Sequence, residues 1–391
     1  MKYEKYLSQT GIKVPPSGIR EFFDIVYTKP ECISLGVGEP DFDTPWSISD
    51  SGIYSIKDGY THYTPNRGLP ELRDIIVKKI KQTINVSYDP NSETIITLGV
   101  SQGLDLALRS LINPGDEIII FEPCYVSYKA NIEMLHGRAV IVETASDENF
   151  QINASTLEKT ITGRTKAILL NYPSNPTGTS IAKAKLEEIA KIAVKHDLIV
   201  LSDEIYSHIT YTGEHFSIAC FPGMKERTIY LNGFSKSHAM TGWRLGYVCG
   251  PEFFISTMLK IHQYTALCAP IMSQYAAVEA LENGDKDVRR MLAEYTRRRN
   301  FIASRFNEAG LPCGLPDGAF YVFPDITTTG LSSREFAIKL LDSKSVAVVP
   351  GNVFGEAGEG HIRCSYATSM DNIREALNRI EAFVKEKPWE S

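Results

Sequence analysis

Residues 167–206, AILLNYPSNPTGTSIAKAKLEEIAKIAVKHDLIVLSDEIY, decide the fold. Two short apolar runs lie in this stretch, at 167–170 and 198–201. The segment between them places apolar residues at helical spacing: Leu186, Ile189, Ala190 and Ala193. Strand, helix and strand in this order predict a βαβ unit, whose two strands run parallel in one sheet. The chain is therefore predicted to have an α/β fold.

The same alternation of apolar runs and amphipathic helices extends from about residue 47 to residue 290. For example, the apolar run at 94–98 precedes a helical pattern formed by Leu104, Ala107, Leu108 and Leu111. We expect residues 47–290 to form a large α/β domain with a mostly parallel sheet, whose strand ends are the expected place for a ligand.

The last hundred residues have a different pattern, which predicts a smaller α+β domain at 291–391. It contains a helix around Phe336, a strand VAVVP at 346–350, a Gly-rich loop and a strand HIRCSYA at 361–367. A final helix carries Ile373, Leu377, Ile380 and Val384 on one face, behind the capping-box spacing of Thr368 and Asp371. Residues 1–46 are predicted as an N-terminal arm and part of this small domain.

That arm is predicted to contain a helix capped by Ser17, whose apolar face consists of Ile19, Phe22, Phe23 and Val26.

Composition and charge exclude several classes of protein. The 391 residues are 43% hydrophobic, and 41 Lys and Arg face 47 Asp and Glu, so the chain lacks the basic balance that nucleic-acid binding requires. Its apolar runs are too short to span a membrane. The seven cysteines are scattered and suggest neither disulfides nor a metal site. We expect a cytoplasmic protein with no nucleic-acid partner, no membrane association and no metal.

Polar side chains stand where the predicted strands end. The ends of α/β strands meet at one edge of the sheet, where such folds bind ligands. The residues found there are Val100, through its amide, and Ser101, Tyr125, Asn175, Asp203, Tyr206, Ser235 and Lys236; Arg244 follows eight residues after Lys236. Each alone has an ordinary structural explanation, such as a turn, a helix cap or a surface charge. Their joint occurrence at strand ends indicates a functional site.

Pyridoxal phosphate is the cofactor whose chemistry uses this whole set. A lysine amine forms a Schiff base with a carbonyl cofactor, and a carboxylate keeps a pyridine nitrogen protonated. Lys236 and Asp203 suit these two roles. Asn175 and Tyr206 can donate hydrogen bonds to the phenolate oxygen of the ring, and Tyr125 can stack on its face.

The phosphate has its own candidate partners at the start of the helix that follows the run at 94–98. Ser101 and the amides of Val100 and Ser101 can bind it there, because a helix N-terminus attracts anions. Ser235 and the guanidinium of Arg244 complete the set.

Six stretches together resemble the class I aminotransferases of pyridoxal-phosphate fold type I. They are SLGVGEPDFDTP at 34–45, HYTPNRGLPELRD at 62–74, NYPSNPTG at 171–178, VLSDEIYSH at 200–208, NGFSKSHAMTGWRLGY at 232–247 and HIRCSYATS at 361–369. The resemblance covers residues 16–383. It is closest to the subgroup that contains archaeal aromatic aminotransferases and bacterial aminotransferase A.

The resemblance implies further roles and a partner. It implies a homodimer with shared active sites, in which Tyr63 reaches the neighbouring subunit's cofactor phosphate. Arg363 would hold the substrate α-carboxylate with help from Asn175, and Gly38 would close over the substrate. Lys236 would be both anchor and general base in a ping-pong exchange between an amino acid and a 2-oxo acid.

The amino donor is predicted from a residue that this chain lacks. Relatives in the subgroup that prefer aspartate carry a lysine at the position of Ser101, so we expect aromatic or other neutral donors, with 2-oxoglutarate as acceptor. An aspartate-type aminotransferase stays open, because Arg67 or a neighbouring chain could supply the missing cation. The same residues also suit a β-eliminating C–S lyase that uses this cofactor, and a non-catalytic regulator that binds the cofactor without turnover.

Overall fold

The computed structural model describes residues 3–19, 29 and 31–388. Positions 22, 23 and 26 of the predicted N-terminal helix lie outside the described residues.

The described residues form twelve short strands. In chain order they are β1 Ile33–Ser34, β2 Thr94–Thr97, β3 Glu117–Glu122, β4 Arg138–Glu143, β5 Thr165–Asn171, β6 Ile199–Asp203, β7 Thr228–Gly233, β8 Gly246–Cys249, β9 Tyr321–Val322, β10 Val346–Ala347, β11 Val349–Pro350 and β12 Ile362–Ser365.

The α-helices of the described residues begin before β1 and continue after β12. They are α1 Gln9–Lys13, α2 Trp46–Lys57, α3 Pro70–Ile84, α4 Gly99–Leu111, α5 Ser127–Met134, α6 Ala154–Thr160, α7 Lys183–Lys195, α8 Glu252–Thr265, α9 Ile271–Asn283, α10 Asp285–Glu308, α11 Ser333–Lys344 and α12 Met370–Glu386.

A seven-stranded sheet forms the centre of the larger unit. Its strand order is β2-β8-β7-β6-β5-β3-β4, and β8 is antiparallel to both its neighbours while the remaining pairs are parallel. Helices cover both faces, so β3 buries Ile118 and Ile120 in one core and Ile119 and Phe121 in another. This confirms the α/β fold with a mostly parallel sheet.

The smaller unit joins the beginning and the end of the chain. β1 pairs in parallel with β10, and β9, β12 and β11 form a separate antiparallel sheet. A core that includes Tyr295, Phe306, Phe336 and Phe383 packs α10, α11 and α12 against these strands. The boundaries 1–46, 47–290 and 291–391 stay predictions. The helix α10 runs without a break through position 290.

Two local predictions differ from the structure. The stretch 346–350 is two strands in different sheets, because β10 pairs with β1 whereas β11 pairs with β12. The final helix is capped by Ser369 rather than Thr368, and the Oγ of Ser369 accepts a hydrogen bond from the amide of Asn372 at 3.2 Å. Both hydroxyl residues suit a cap, so the sequence pattern alone does not distinguish them.

Candidate active site

A cavity of about 640 Å³ lies beyond the carboxyl ends of β5, β6 and β7. The structure brings eleven of the twelve predicted site residues together in its lining. They are Gly38, Val100, Ser101, Tyr125, Asn175, Asp203, Tyr206, Ser235, Lys236, Arg244 and Arg363. Tyr63 is the exception, because it is 83% exposed and does not line the cavity of its own chain.

Lys236 follows the end of β7 and points into the cavity. Its Nζ donates a hydrogen bond to the carbonyl oxygen of Gly38 at 2.7 Å. The pKa of Lys236 is lowered to about 8, mainly by burial; Glu39 and Asp203 oppose this shift, and the positive charges of Arg363 and Arg244 add to it. A lysine with a lowered pKa has more of the neutral amine that attacks carbonyl groups.

Asp203 is the last residue of β6, and its carboxyl group is buried. Oδ2 accepts a hydrogen bond from the hydroxyl of Tyr128 at 2.8 Å, and Oδ1 accepts one from the amide of Ile205 at 3.2 Å. Burial raises the pKa of Asp203 to about 6, against the lowering effect of these hydrogen bonds. Such a carboxylate stabilises a positive charge brought into the cavity.

Arg363 lies on β12 and is buried, being 1% exposed. Its Nη1 donates to Oδ1 of Asn175 at 2.9 Å, and its Nη2 donates to the carbonyl oxygen of Gly36 at 2.6 Å. Its Nε has no hydrogen-bond partner among the described residues. A buried guanidinium with neutral partners and a spare donor can bind a carboxylate.

Asn175 is held by the strand that precedes it, since its amide donates to Oδ1 of Asn171 at 3.1 Å. Tyr206 is buried, and its hydroxyl lies 2.8 Å from the hydroxyl of Tyr321. Tyr125 lines the cavity, and its ring packs edge to face against that of Tyr128, with the ring centroids 5.6 Å apart.

An anion-binding corner lies at the start of α4. The first amides of a helix have no partners within it, and here they include those of Val100 and Ser101. Arg244 approaches the same backbone, because a Cβ on Gly99 would lie 2.8 Å from its Nη2. The Nη1 of Arg244 donates to the neutral carbonyl of Thr241. This corner therefore has donors and positive charge for a phosphate.

The residues present fit pyridoxal phosphate. The cavity holds a lysine amine, a buried carboxylate, a phosphate corner and an arginine with a spare donor. A lysine that can form a Schiff base and an acidic partner for the pyridine nitrogen are the groups that this cofactor uses. The fold and the site thus define an enzyme that holds a carbonyl cofactor through a lysine.

Comparisons with known proteins identify the family. The model of "Aminotransferase class I and II" matches residues 30–380. A Bacillus subtilis (strain 168) protein named "Putative aminotransferase YugH" is 52% identical over 97% of this chain and 98% of its own. The aspartate aminotransferase of Pyrococcus abyssi is 47% identical over 96% of this chain and 97% of its own.

The structure of the aromatic aminotransferase from Pyrococcus horikoshii OT3 superposes with a TM-score of 0.90, at 45% identity, covering 93% of this chain and 99% of the other. The chain belongs to the class I and II aminotransferases, which use pyridoxal phosphate. The predictions of fold type I, of an aminotransferase and of its cofactor are confirmed.

Sequence reasoning missed two residues that hold the site in place. Tyr128 binds the carboxylate of Asp203, and Asn171 binds both the amide of Asn175 and, through its Nδ2, the carbonyl of Asp203 at 3.0 Å. A signal existed for each. Tyr128 follows Tyr125 by three residues, and Asn171 directly follows the apolar run at 167–170.

Within the part of the chain that the structure describes, no helix is long and apolar enough to cross a membrane.

Proposed function

We propose that this aminotransferase takes the amino group from an aromatic or other neutral L-amino acid and passes it to 2-oxoglutarate. The observation that carries the proposal is the charge of the cavity. Among the described residues, the lysines and arginines in its lining are Lys236, Arg244 and Arg363. The cofactor tether, its phosphate and the substrate α-carboxylate would use all three.

The rest of the lining suits an uncharged donor side chain. Tyr125, Tyr206 and Tyr321 contribute aromatic surface, and Ser101 is a neutral residue at the position where the resemblance associates a lysine with a preference for aspartate. Arg67, which could have served a distal carboxylate, does not line this cavity and donates instead to the carbonyl of Ser92 at 3.3 Å.

In the proposed reaction each side chain has one task. The bound cofactor supplies an electron sink for the bond that breaks at the substrate Cα. Arg363 and Asn175 orient the substrate by its α-carboxylate, and Gly38 closes over it. The amine of Lys236 takes the proton from Cα, while the carboxylate of Asp203 stabilises positive charge on the pyridine nitrogen.

The test is a half-reaction screen. The purified holoenzyme is mixed with single amino acids, and conversion of the cofactor to its aminated form is followed by absorbance. Phenylalanine, tyrosine or another neutral donor is expected to react with the highest second-order rate constant. Glutamate, the aminated form of the proposed acceptor, should also react. If aspartate reacts faster than every neutral donor, the proposed donor class is wrong.

Aspartate is the second candidate donor, because the relative from Pyrococcus abyssi that is 47% identical is named an aspartate aminotransferase. The side-chain carboxylate of aspartate, like the distal carboxylate of 2-oxoglutarate, would require a cation from outside the described lining, such as one from a partner subunit.

We also propose that the chain forms a homodimer with shared active sites. The exposure of Tyr63 supports this, as does the exposure of large apolar side chains on α2: Trp46 at 73%, Tyr54 at 60% and Ile56 at 51%. Mixing Tyr63→Ala with Lys236→Ala chains tests the shared site. A mixed dimer should regain one intact site, and no recovery of activity beyond either variant alone would contradict the proposal.

The proposed location is the cytoplasm, which the seven unpaired cysteines support. Fractionation of the source cells tests it, and recovery of the protein outside the cytoplasmic fraction would contradict it.

A further inference from the structure

Two buried tyrosines meet at the cavity wall. The hydroxyl oxygens of Tyr206 and Tyr321 are 2.8 Å apart, and the side chains are 4% and 1% exposed. Their rings pack edge to face at 5.8 Å. Burial raises the pKa of both hydroxyls, so each keeps its hydrogen at neutral pH. The two hydroxyls thus form one hydrogen bond, in which either oxygen could be the donor.

The number of hydrogens available to each hydroxyl determines which tyrosine donates this hydrogen bond when the cofactor is present. A tyrosine hydroxyl has a single hydrogen to donate but can also accept. Under the proposed function, the hydrogen of Tyr206 goes to the phenolate oxygen, because an ionised acceptor forms the stronger bond. Tyr206 can then take part in the 2.8 Å contact only as an acceptor.

We propose that Tyr321 is a positioning residue that donates its hydroxyl hydrogen to Tyr206 and thereby strengthens the hydrogen bond from Tyr206 to the cofactor's phenolate oxygen. The inference rests on the proposed role of Tyr206. Successive hydrogen bonds polarise one another in a site of low dielectric, which gives the relay its effect on the cofactor.

The neighbours of Tyr321 fix its hydroxyl in place. The guanidinium carbon of Arg363 lies over its ring, 4.6 Å from the centroid. On the other side, a Cβ at Gly38 would lie 2.7 Å from its hydroxyl oxygen, so only glycine leaves room there. Among the described residues, the hydroxyl has one further acceptor within reach, the carbonyl oxygen of Gly38, at a long 3.5 Å. Tyr206 is therefore its better partner.

The test is the pH midpoint of the cofactor's absorbance in the resting holoenzyme, compared between wild type and Tyr321→Phe. The variant keeps the ring under Arg363 and removes only the hydroxyl. A weaker donor to the phenolate oxygen makes the cofactor hold its proton more tightly, so the midpoint should rise. A net hydrogen bond of roughly 0.5–1.5 kcal/mol corresponds to about 0.4–1 pH unit. Since one hydrogen bond strengthens the next by roughly 10–30%, we expect a rise of about 0.1–0.3 unit.

Two further variants calibrate the shift. Tyr206→Phe removes the direct hydrogen bond and should raise the midpoint more than Tyr321→Phe does. Tyr366→Phe removes a hydroxyl that is equally buried, donates to the carbonyl of Ala319 and lies outside the cavity lining. It should leave the midpoint unchanged.

Replacing Tyr321 by 3-fluorotyrosine provides a test of opposite sign that does not depend on how well Tyr321→Phe folds. Fluorine makes the phenol more acidic and a better donor, so the midpoint should fall. An unchanged midpoint with both replacements, or an unchanged midpoint in Tyr206→Phe, overturns the relay. A chain that takes up no pyridoxal phosphate at all overturns the proposed function instead, and the two failures are therefore distinguishable.

Discussion

Replacing Arg363 by lysine tests the proposed recognition of the α-carboxylate. The guanidinium is buried, is oriented by Asn175 and by the carbonyl of Gly36, and keeps its Nε without a partner among the described residues. It can therefore form two charge-assisted hydrogen bonds to a carboxylate, whereas lysine offers a point charge and one such bond. Losing one bond to a charged group costs about 1.5–3 kcal/mol, which corresponds to a roughly 10- to 200-fold lower kcat/KM.

The assay compares two donors that differ only in that carboxylate. The single-turnover rate with phenylalanine should fall by the stated factor in Arg363→Lys, and the rate with 2-phenylethylamine should change little. Arg299→Lys is the matched control, because Arg299 is also buried, donates to the carbonyl of Pro316 at 3.1 Å and lies outside the cavity. An equal fall with both donors would refute the assigned role, since a general disturbance of the site would affect both.

Three further changes have expected outcomes. The pKa of Asp203 is raised to about 6 in the folded chain from an ordinary 3.8. The protonated carboxyl group therefore contributes to stability at low pH, and this contribution is lost as the pH rises through about 6. Cofactor-free Asp203→Asn should therefore gain stability over wild type between pH 4 and 7, by roughly 3 kcal/mol in urea unfolding, and a constant difference across this range would contradict the burial argument. Because the pKa of Lys236 is lowered to about 8, the fraction of neutral amine increases with pH up to that value. The rate at which the cofactor-free chain takes up pyridoxal phosphate, measured by stopped flow, should therefore increase about tenfold per pH unit below pH 8 and then level off. A rate that continues to rise to about pH 10 would indicate an ordinary lysine. Ser101→Lys should raise the ratio of kcat/KM for aspartate to that for phenylalanine by roughly 10- to 100-fold, the effect of one new charge-assisted hydrogen bond, and an unchanged ratio would place the distal carboxylate elsewhere.

The sequence was sufficient to predict the fold because β5, α7 and β6 have patterns that only a βαβ unit satisfies. The same logic located Asp203 and Lys236, since strand ends of a parallel sheet meet at one edge.

Contacts between distant segments could not be predicted in the same way. Arg363 and Asn175 are 188 positions apart, and Tyr206 and Tyr321 are 115 apart, so their contacts depend on how the smaller unit packs on the larger one. The division of 346–350 into two strands has the same origin, because the pairing partners of β10 and β11 lie far away in the chain.

The central claim is that Lys236 holds the cofactor covalently. The most direct test is to reduce the holoenzyme with borohydride and to map its peptides by mass spectrometry. The account predicts a stable phosphopyridoxyl group on the peptide that contains Lys236, and none in Lys236→Ala. A modified lysine elsewhere in the chain, or an unmodified Lys236 in protein saturated with pyridoxal phosphate, would contradict it.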